Sequence, residues 1–103
     1  MREVLLTRGK CVSLSDEKVG KSGKYRRFGL LDTLDNHVTE CVIYEENNPN
    51  LYKNALRFLR REDRYNMRGK QSFFNKEIQT TSGPQYIQME CIIIKEIELD
   101  KDI

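Results

Sequence analysis

No apolar run in the sequence approaches the ~20 residues that a membrane-spanning helix needs. The opening stretch, MREVLLTRGK, is too briefly apolar for a secretory signal. A soluble intracellular protein with no membrane partner is therefore expected; nucleus and cytoplasm are not separable on this basis. Histidine is nearly absent, with His37 alone. The cysteines number only three, Cys11, Cys41 and Cys91, far apart and with no Cys-x-x-Cys pair. A zinc site needs about four clustered ligands, so no metal is expected. Each cysteine sits in a β-like apolar stretch and reads as a small buried hydrophobe kept reduced. Catalytic signatures are missing too: there is no G-x-S-x-G nucleophile motif, and the glycines at 20–23 and 69 lack the spacing of a phosphate loop or dinucleotide fingerprint. Asp32 and Asp35 are the nearest thing to paired carboxylates, and beside a turn they read as turn-makers. Neither an enzyme nor a small-molecule cofactor is expected.

The chain has 103 residues, 38% hydrophobic and 33% charged. One compact domain over 1–103 is the natural reading, with 99–103 as a short tail. A chain of this size buries about two-thirds of its unfolded surface, enough for one core. The net charge of +2 hides an uneven distribution. Residues 1–32 carry eight Lys/Arg against four Asp/Glu, and 51–76 carry eight against two. Residues 33–50 carry four acids and no base, and 77–103 carry six acids against two bases. A fold with one basic and one acidic face can follow, and a basic face is the footprint of a nucleic-acid binder.

Hydrophobic periodicity divides the chain into six elements. Val4–Val12 reads as a first strand, Ser13–Lys24 as a polar loop, Tyr25–Leu34 as a second strand and Val38–Tyr44 as a third, with Asp35–Asn36 turning the hairpin. Asn48 before Pro49 is a helix-start signal. Tyr52, Ala55, Leu56 and Leu59 then follow the spacing of one buried helical stripe. Arg57, Arg60 and Arg61 sit near the helix end, where cations favour the macrodipole. Arg64–Phe74 reads as a fourth strand bent at Gly69, Asn75–Gln85 as a loop, and Tyr86–Leu99 as a long fifth strand with one switch of face. Ile92–Ile94, apolar on both faces, predicts cover on both sides of that strand. The order β-β-β-α-β-β is that of a mainly β, five-stranded Greek-key barrel, with one α-helix between strands 3 and 4 plugging its bottom. Gly9 and Gly69 fit the sharp coiling that closes a small barrel.

Three stretches also resemble the nucleic-acid-binding OB-fold superfamily: RGKCVSL (8–14) as its opening strand, KSGKYRRFGLLDTLDNHVTECVIYEE (21–46) as its hairpin, and LYKNALRFLRREDRYNMRGK (51–70) as its helix and entry to strand four. Tyr65 and Met67 stand where that pattern has small aliphatics, and Asn36–His37 where it commonly has a turn glycine. Replication, telomere and phage-type members all remain open. The resemblance implies a ligand surface on strands two and three, rimmed by the loops between strands one and two and between strands four and five. Phosphate contacts are then expected from Lys18, Lys21, Lys24, Arg27, Lys70 and Lys76, and base stacking from Tyr25, Phe74 and Tyr86. Phe73, adjacent to Phe74, is expected to point the other way, into the core. The partner implied is single-stranded DNA or RNA, DNA first, possibly with other OB-fold subunits. The alternative is a small scaffolding subunit of a replication or telomere-type complex that acts through protein contacts.

Overall fold

The computed structural model describes residues 2–21 and 23–100, with the side chain of Leu56 left out. The elements run β1 (Glu3–Leu14), β2 (Lys18–Gly20), β3 (Gly23–Asp32), β4 (His37–Tyr44), α1 (Pro49–Phe58), β5 (Arg64–Thr80) and β6 (Gly83–Leu99). β1 pairs with β5 through its first part and with β3 through its last residues, so a five-stranded barrel closes in the order β1–β3–β4–β6–β5–β1. All pairings are antiparallel except that of β4 with β6, at Cys41–Ile92 and Val42–Ile93. This is the five-stranded Greek-key order expected from the sequence.

Closure depends on local departures from regular pairing. β1 bulges between Leu6 and Gly9, with Arg8 at φ 56°, and again between Cys11 and Ser13. From Arg68 to Gly69 the partner on β6 jumps from Glu96 to Ile94, so Lys95 is the extra residue. Both glycines expected to bend strands thus lie at register shifts. Beyond that shift the inward positions of β6 change phase, from Ile92 and Ile94 to Ile97.

The core is filled by the inner faces of the strands and by the helix: Cys11, Phe28, Leu30, Cys41, Ile43, Tyr65, Met67, Ile92 and Ile94 pack with Tyr52, Ala55 and Leu59. Leu56, the remaining member of the expected helical stripe, lies in the helix, but its side chain is outside what the structure describes. Asn48 caps the helix as expected, its Oδ1 accepting from the Leu51 amide at 3.1 Å, and Pro49 takes the first turn. The helix stops at Phe58 because Leu59 turns extended. Arg60 and Arg61 therefore lie beyond it. The Tyr65 hydroxyl secures this exit, donating to the Phe58 carbonyl at 2.8 Å and accepting from the Arg60 amide at 2.7 Å.

Two expected loops are in large part strand. Within Ser13–Lys24, Ser15 is stitched to β3: its amide donates to the Arg27 carbonyl and its Oγ accepts from the Arg27 amide, both at 2.9 Å. Lys18–Gly20 then pairs with Gly23–Tyr25 as a small hairpin. Asn75–Gln85 is the outer half of a long β5–β6 hairpin, paired continuously from Ser72–Cys91 to Thr80–Gly83. This arm leaves the barrel, so the molecule measures 50 × 32 × 26 Å and its radius of gyration of 14.3 Å exceeds the ~13 Å of a compact chain of this length. Phe73 lies on the arm and is 54% exposed, not in the core, because the strand has already left the barrel there. Ile93 is half-buried on the outward face, so the last strand is fully covered on its inner side only. Leu99 ends β6, and the Asp100 amide donates to the Arg64 carbonyl at 2.9 Å. The rest of the expected tail, 101–103, lies outside the described residues.

Candidate nucleic-acid interface

Strand alternation sorts the side chains of the barrel wall. On β3, Phe28 and Leu30 face the core, which turns Tyr25, Arg27 and Gly29 outward. On β4, Cys41 and Ile43 face the core, which turns Glu40, Val42 and Tyr44 outward. The hairpin register sets Tyr25 opposite Tyr44, Arg27 opposite Val42 and Gly29 opposite Glu40. On β5 the outward set beside them is Lys70, Ser72, Phe74 and Lys76, and on β6 it includes Cys91 and Ile93.

These outward residues converge. The Tyr25 and Tyr44 rings lie 5.8 Å apart, tilted by 43°. The Arg27 guanidinium carbon sits 5.8 Å from the Tyr25 ring centre and 4.5 Å from that of Phe74. The chain of contacts Tyr44–Tyr25–Arg27–Phe74 therefore crosses from the hairpin to the base of the arm. Arg27 and Phe74 meet above the β4–β6 seam, over a notch of about 50 Å³ that also touches Glu40, Val42, Ser72 and Cys91. Val42 is only 2% exposed although it is not part of the core cluster, because this outer layer covers it. Burial pushes the Cys91 thiol and the Tyr44 hydroxyl up from their ordinary pKa values, against the pull of Arg27, so both stay protonated near neutrality. The acidic and basic side chains that line the notch are Glu40 and Arg27.

The other expected contact residues divide by position. Lys18 pairs with Tyr25 in the small hairpin and shares its side. Gly20 lies on that side as well, and the Tyr25 ring packs so closely over it that a Cβ would meet the ring at 3.1 Å. Lys21 is exposed in the turn of this hairpin. Lys24 points the opposite way: its Nζ is 3.7 Å from Glu17, whose other oxygen accepts from the Tyr52 hydroxyl at 2.7 Å. Lys76 is exposed on the Phe74 side of the arm. Lys70 is on the same side of β5 but farther back, close to Lys95, whose pKa it lowers. Tyr86, 69% exposed, pairs with Glu77 and shares the reverse of the arm with Phe73. The structure thus gathers Lys18, Tyr25, Arg27, Phe74 and Lys76, and separates Lys24 and Tyr86 from them. Among the described residues, no group of three or more His, Cys, Asp or Glu is placed to hold a metal ion.

No protein-family model matches the sequence, and a search of curated protein sequences finds no match. Solved structures do match. A mitochondrial single-stranded DNA binding protein from S. cerevisiae, Rim1, gives a TM-score of 0.68 in one crystal form at 12% identity, covering 97% of this chain and 96% of that one. A second form of Rim1 gives 0.58 at 10% identity, covering 96% and 92%. A Plasmodium falciparum SSB in complex with ssDNA gives 0.63 at 20% identity, covering 96% and 94%. The fold is an OB-fold.

Within an OB-fold, oligonucleotides are generally taken on the face of the second and third barrel strands and by the flanking loops. Here those strands are β3 and β4, the first flanking element is the β2 hairpin, and the last is the arm. The sequence reading missed Tyr44, Glu40, Val42, Ser72 and Cys91 on this surface. Tyr44 was within reach: it lies as far from the hairpin turn as Tyr25, so an Asp32–His37 closure pairs the two. Ser72 and Cys91 had no such signal, since they come to the notch only through the parallel β4–β6 seam and the start of the arm.

Proposed function

We propose that this chain binds single-stranded DNA without catalysis, on the outer face of β3, β4 and the base of the arm. The observation that carries the reading is the ladder Tyr44–Tyr25–Arg27–Phe74, which offers ring faces and a guanidinium in one continuous row. Successive bases stack on such a row whatever their identity. Lys18, Lys21 and Lys76 border it and, with Arg27 inside it, neutralise phosphates; Lys70 adds charge farther along β5. Lys24 and Tyr86 contribute only if the strand continues around the hairpin or the arm. The similarity in fold to a single-stranded DNA binding protein and to an SSB in complex with ssDNA supports DNA over RNA as the first ligand to test. A second reading, a scaffolding subunit acting through protein contacts, draws on the exposed Phe73 and Tyr86 on the reverse of the arm.

Fluorescence anisotropy with labelled oligo-dT and oligo-U at two salt concentrations tests the proposal. Binding is expected to weaken with salt by a log–log slope of about −0.7 per phosphate contacted. Arg27→Ala with Phe74→Ala should weaken it further, since each lost stacking contact is worth roughly 1–3 kcal/mol, a factor of about 5 to 150. Lys53→Ala with Arg57→Ala removes two positive charges from the exposed helix surface and should change little. Failure to bind either strand at low salt and high protein concentration shifts the choice to the scaffolding reading, with capture of partner chains as the next experiment.

A further inference from the structure

Glu40 is out of place on a surface that takes phosphates. It projects from the middle of β4 toward the notch beneath Arg27 and Phe74. Its cross-strand partner is Gly29, so no side chain faces it across the hairpin. Among the described residues its carboxylate makes no hydrogen bond or ion pair, which it shares with exposed carboxylates such as Glu77, Glu90 and Glu98, but of the carboxylates only Glu40 lines the notch. An exposed carboxylate at the notch repels a phosphate, which favours a path in which the sugar-phosphate backbone runs along the lysines and base edges face the notch. An ionised carboxylate is acceptor-only. The edge it favours therefore carries an amino donor, as cytosine does at N4. On that major-groove edge thymine and uracil place a carbonyl oxygen at the same position, their one ring donor, N3–H, lying on the pairing edge.

We infer that Glu40 is a specificity-determining residue of this surface, selecting bases with an exocyclic amino group over thymine and uracil. The inference rests on the proposed single-strand binding. Ser72, whose hydroxyl lies in the same notch and can either donate or accept, adapts to the remainder of the base edge. Cytosine and thymine are both pyrimidines and stack through similar rings, so a comparison of the two reads the base edge: an amino donor beside an N3 acceptor in cytosine, a carbonyl acceptor beside an N3–H donor in thymine and uracil.

Anisotropy titrations of oligo-dC, oligo-dT and oligo-dU test this, with oligo-dU removing any effect of the thymine methyl group. The wild-type protein should bind oligo-dC roughly 10-fold more tightly than either other strand, the size of one hydrogen bond to a charged group. Glu40→Gln, whose amide both donates and accepts, should bring the three within about threefold of one another, mainly by tightening oligo-dT and oligo-dU. Glu90→Gln removes a nearby charge from the reverse of the arm and should leave the wild-type preference intact. An unchanged dC-to-dT ratio in Glu40→Gln overturns the inference while the binding site stands. Equal tightening of all strands also overturns it, leaving Glu40 as a general repulsion. Absence of binding to every strand by the wild type overturns the single-strand reading itself, and this inference with it.

Discussion

At Gly69 the barrel has no room for a side chain. A Cβ there would meet the carbonyl oxygen of Ile93 and, at 2.6 Å, the Cγ2 of Ile92, both across the shifted register of β6. The obstructing carbonyl belongs to a strand held on both sides, so it cannot swing away. Gly69→Ala is therefore expected to cost about 1–3 kcal/mol, the range for overpacking a tight core. For a domain of this size that lowers the thermal midpoint by roughly 4–8 °C per kcal/mol, readable in a far-UV melt. Wild-type stability in that variant would mean the β5–β6 crossing relaxes freely. Gly69 was legible because glycine inside an otherwise β-rich run has few other uses. Its companion Asn36 was legible in a different way: standing where a turn glycine is common, it adopts φ 59°, a left-handed conformation that asparagine tolerates. Phe73 was not legible, since alternation separates it from Phe74 but does not say where the strand leaves the barrel.

At the scale of elements, the arm is what sequence reading lost. Its outer half, NKEIQTTSGPQ, is polar and ends in a strong turn signal, so it reads as a loop. A two-stranded ribbon in solvent has no buried face, hence no apolar alternation to betray it. Its strand character comes from backbone pairing that continues out of the barrel to a tight turn, where the Thr80 hydroxyl donates to the Gly83 carbonyl at 2.7 Å and Gly83 takes φ 106°. The helix was readable because every local cue agreed: cap, proline and a stripe at helical spacing. The arm carries no residue of the core beyond Ile92 and contributes Lys76 to the proposed interface. Replacing Lys76–Ile87 by Asn-Gly, which suits a two-residue hairpin turn joining Asn75 to Gln88, should leave the melting midpoint within a few degrees. The salt slope for oligo-dT should become shallower by about 0.7, one phosphate contact fewer. The length of strand needed for full affinity should also fall, as measured with oligonucleotides of graded length. An unchanged slope and length requirement would place the ligand on the barrel face alone.

At the scale of the whole molecule, the strand order was legible while the path of the ligand surface was not. The order followed from which segments alternate; the surface depends on barrel closure, in which the parallel β4–β6 seam sets the β5–β6 hairpin beside the β3–β4 hairpin and joins residues that are nearly fifty positions apart, as Arg27 and Phe74 are. The same closure buries ionisable groups in their neutral forms. Burial raises the pKa values of Cys11, Cys41, Cys91, Tyr44, Tyr52 and Tyr65, and for Tyr52 the hydrogen bond to Glu17 adds to it. In each case the folded value exceeds the unfolded one, about 8.5 for a thiol and 10 for a phenol. The unfolded chain therefore loses these protons first as pH rises, and binds fewer protons than the native chain. Stability is fully present below about pH 8.5 and falls above it, first through the thiols and from about pH 10 through the phenols. Thermal melts under reducing conditions should be level from pH 7 to about 8 and decline progressively toward pH 11. Tyr52→Phe keeps the buried ring but loses the bond to Glu17, so it should be less stable at pH 7 by about 1.5–3 kcal/mol, the range for a hydrogen bond to a charged group. Having no phenol to ionise there, it should also decline less steeply above pH 10. Parallel wild-type and Tyr52→Phe curves through that range would show that Tyr52 does not carry the alkaline loss, and a wild-type curve level to pH 11 would overturn the linkage for the whole set.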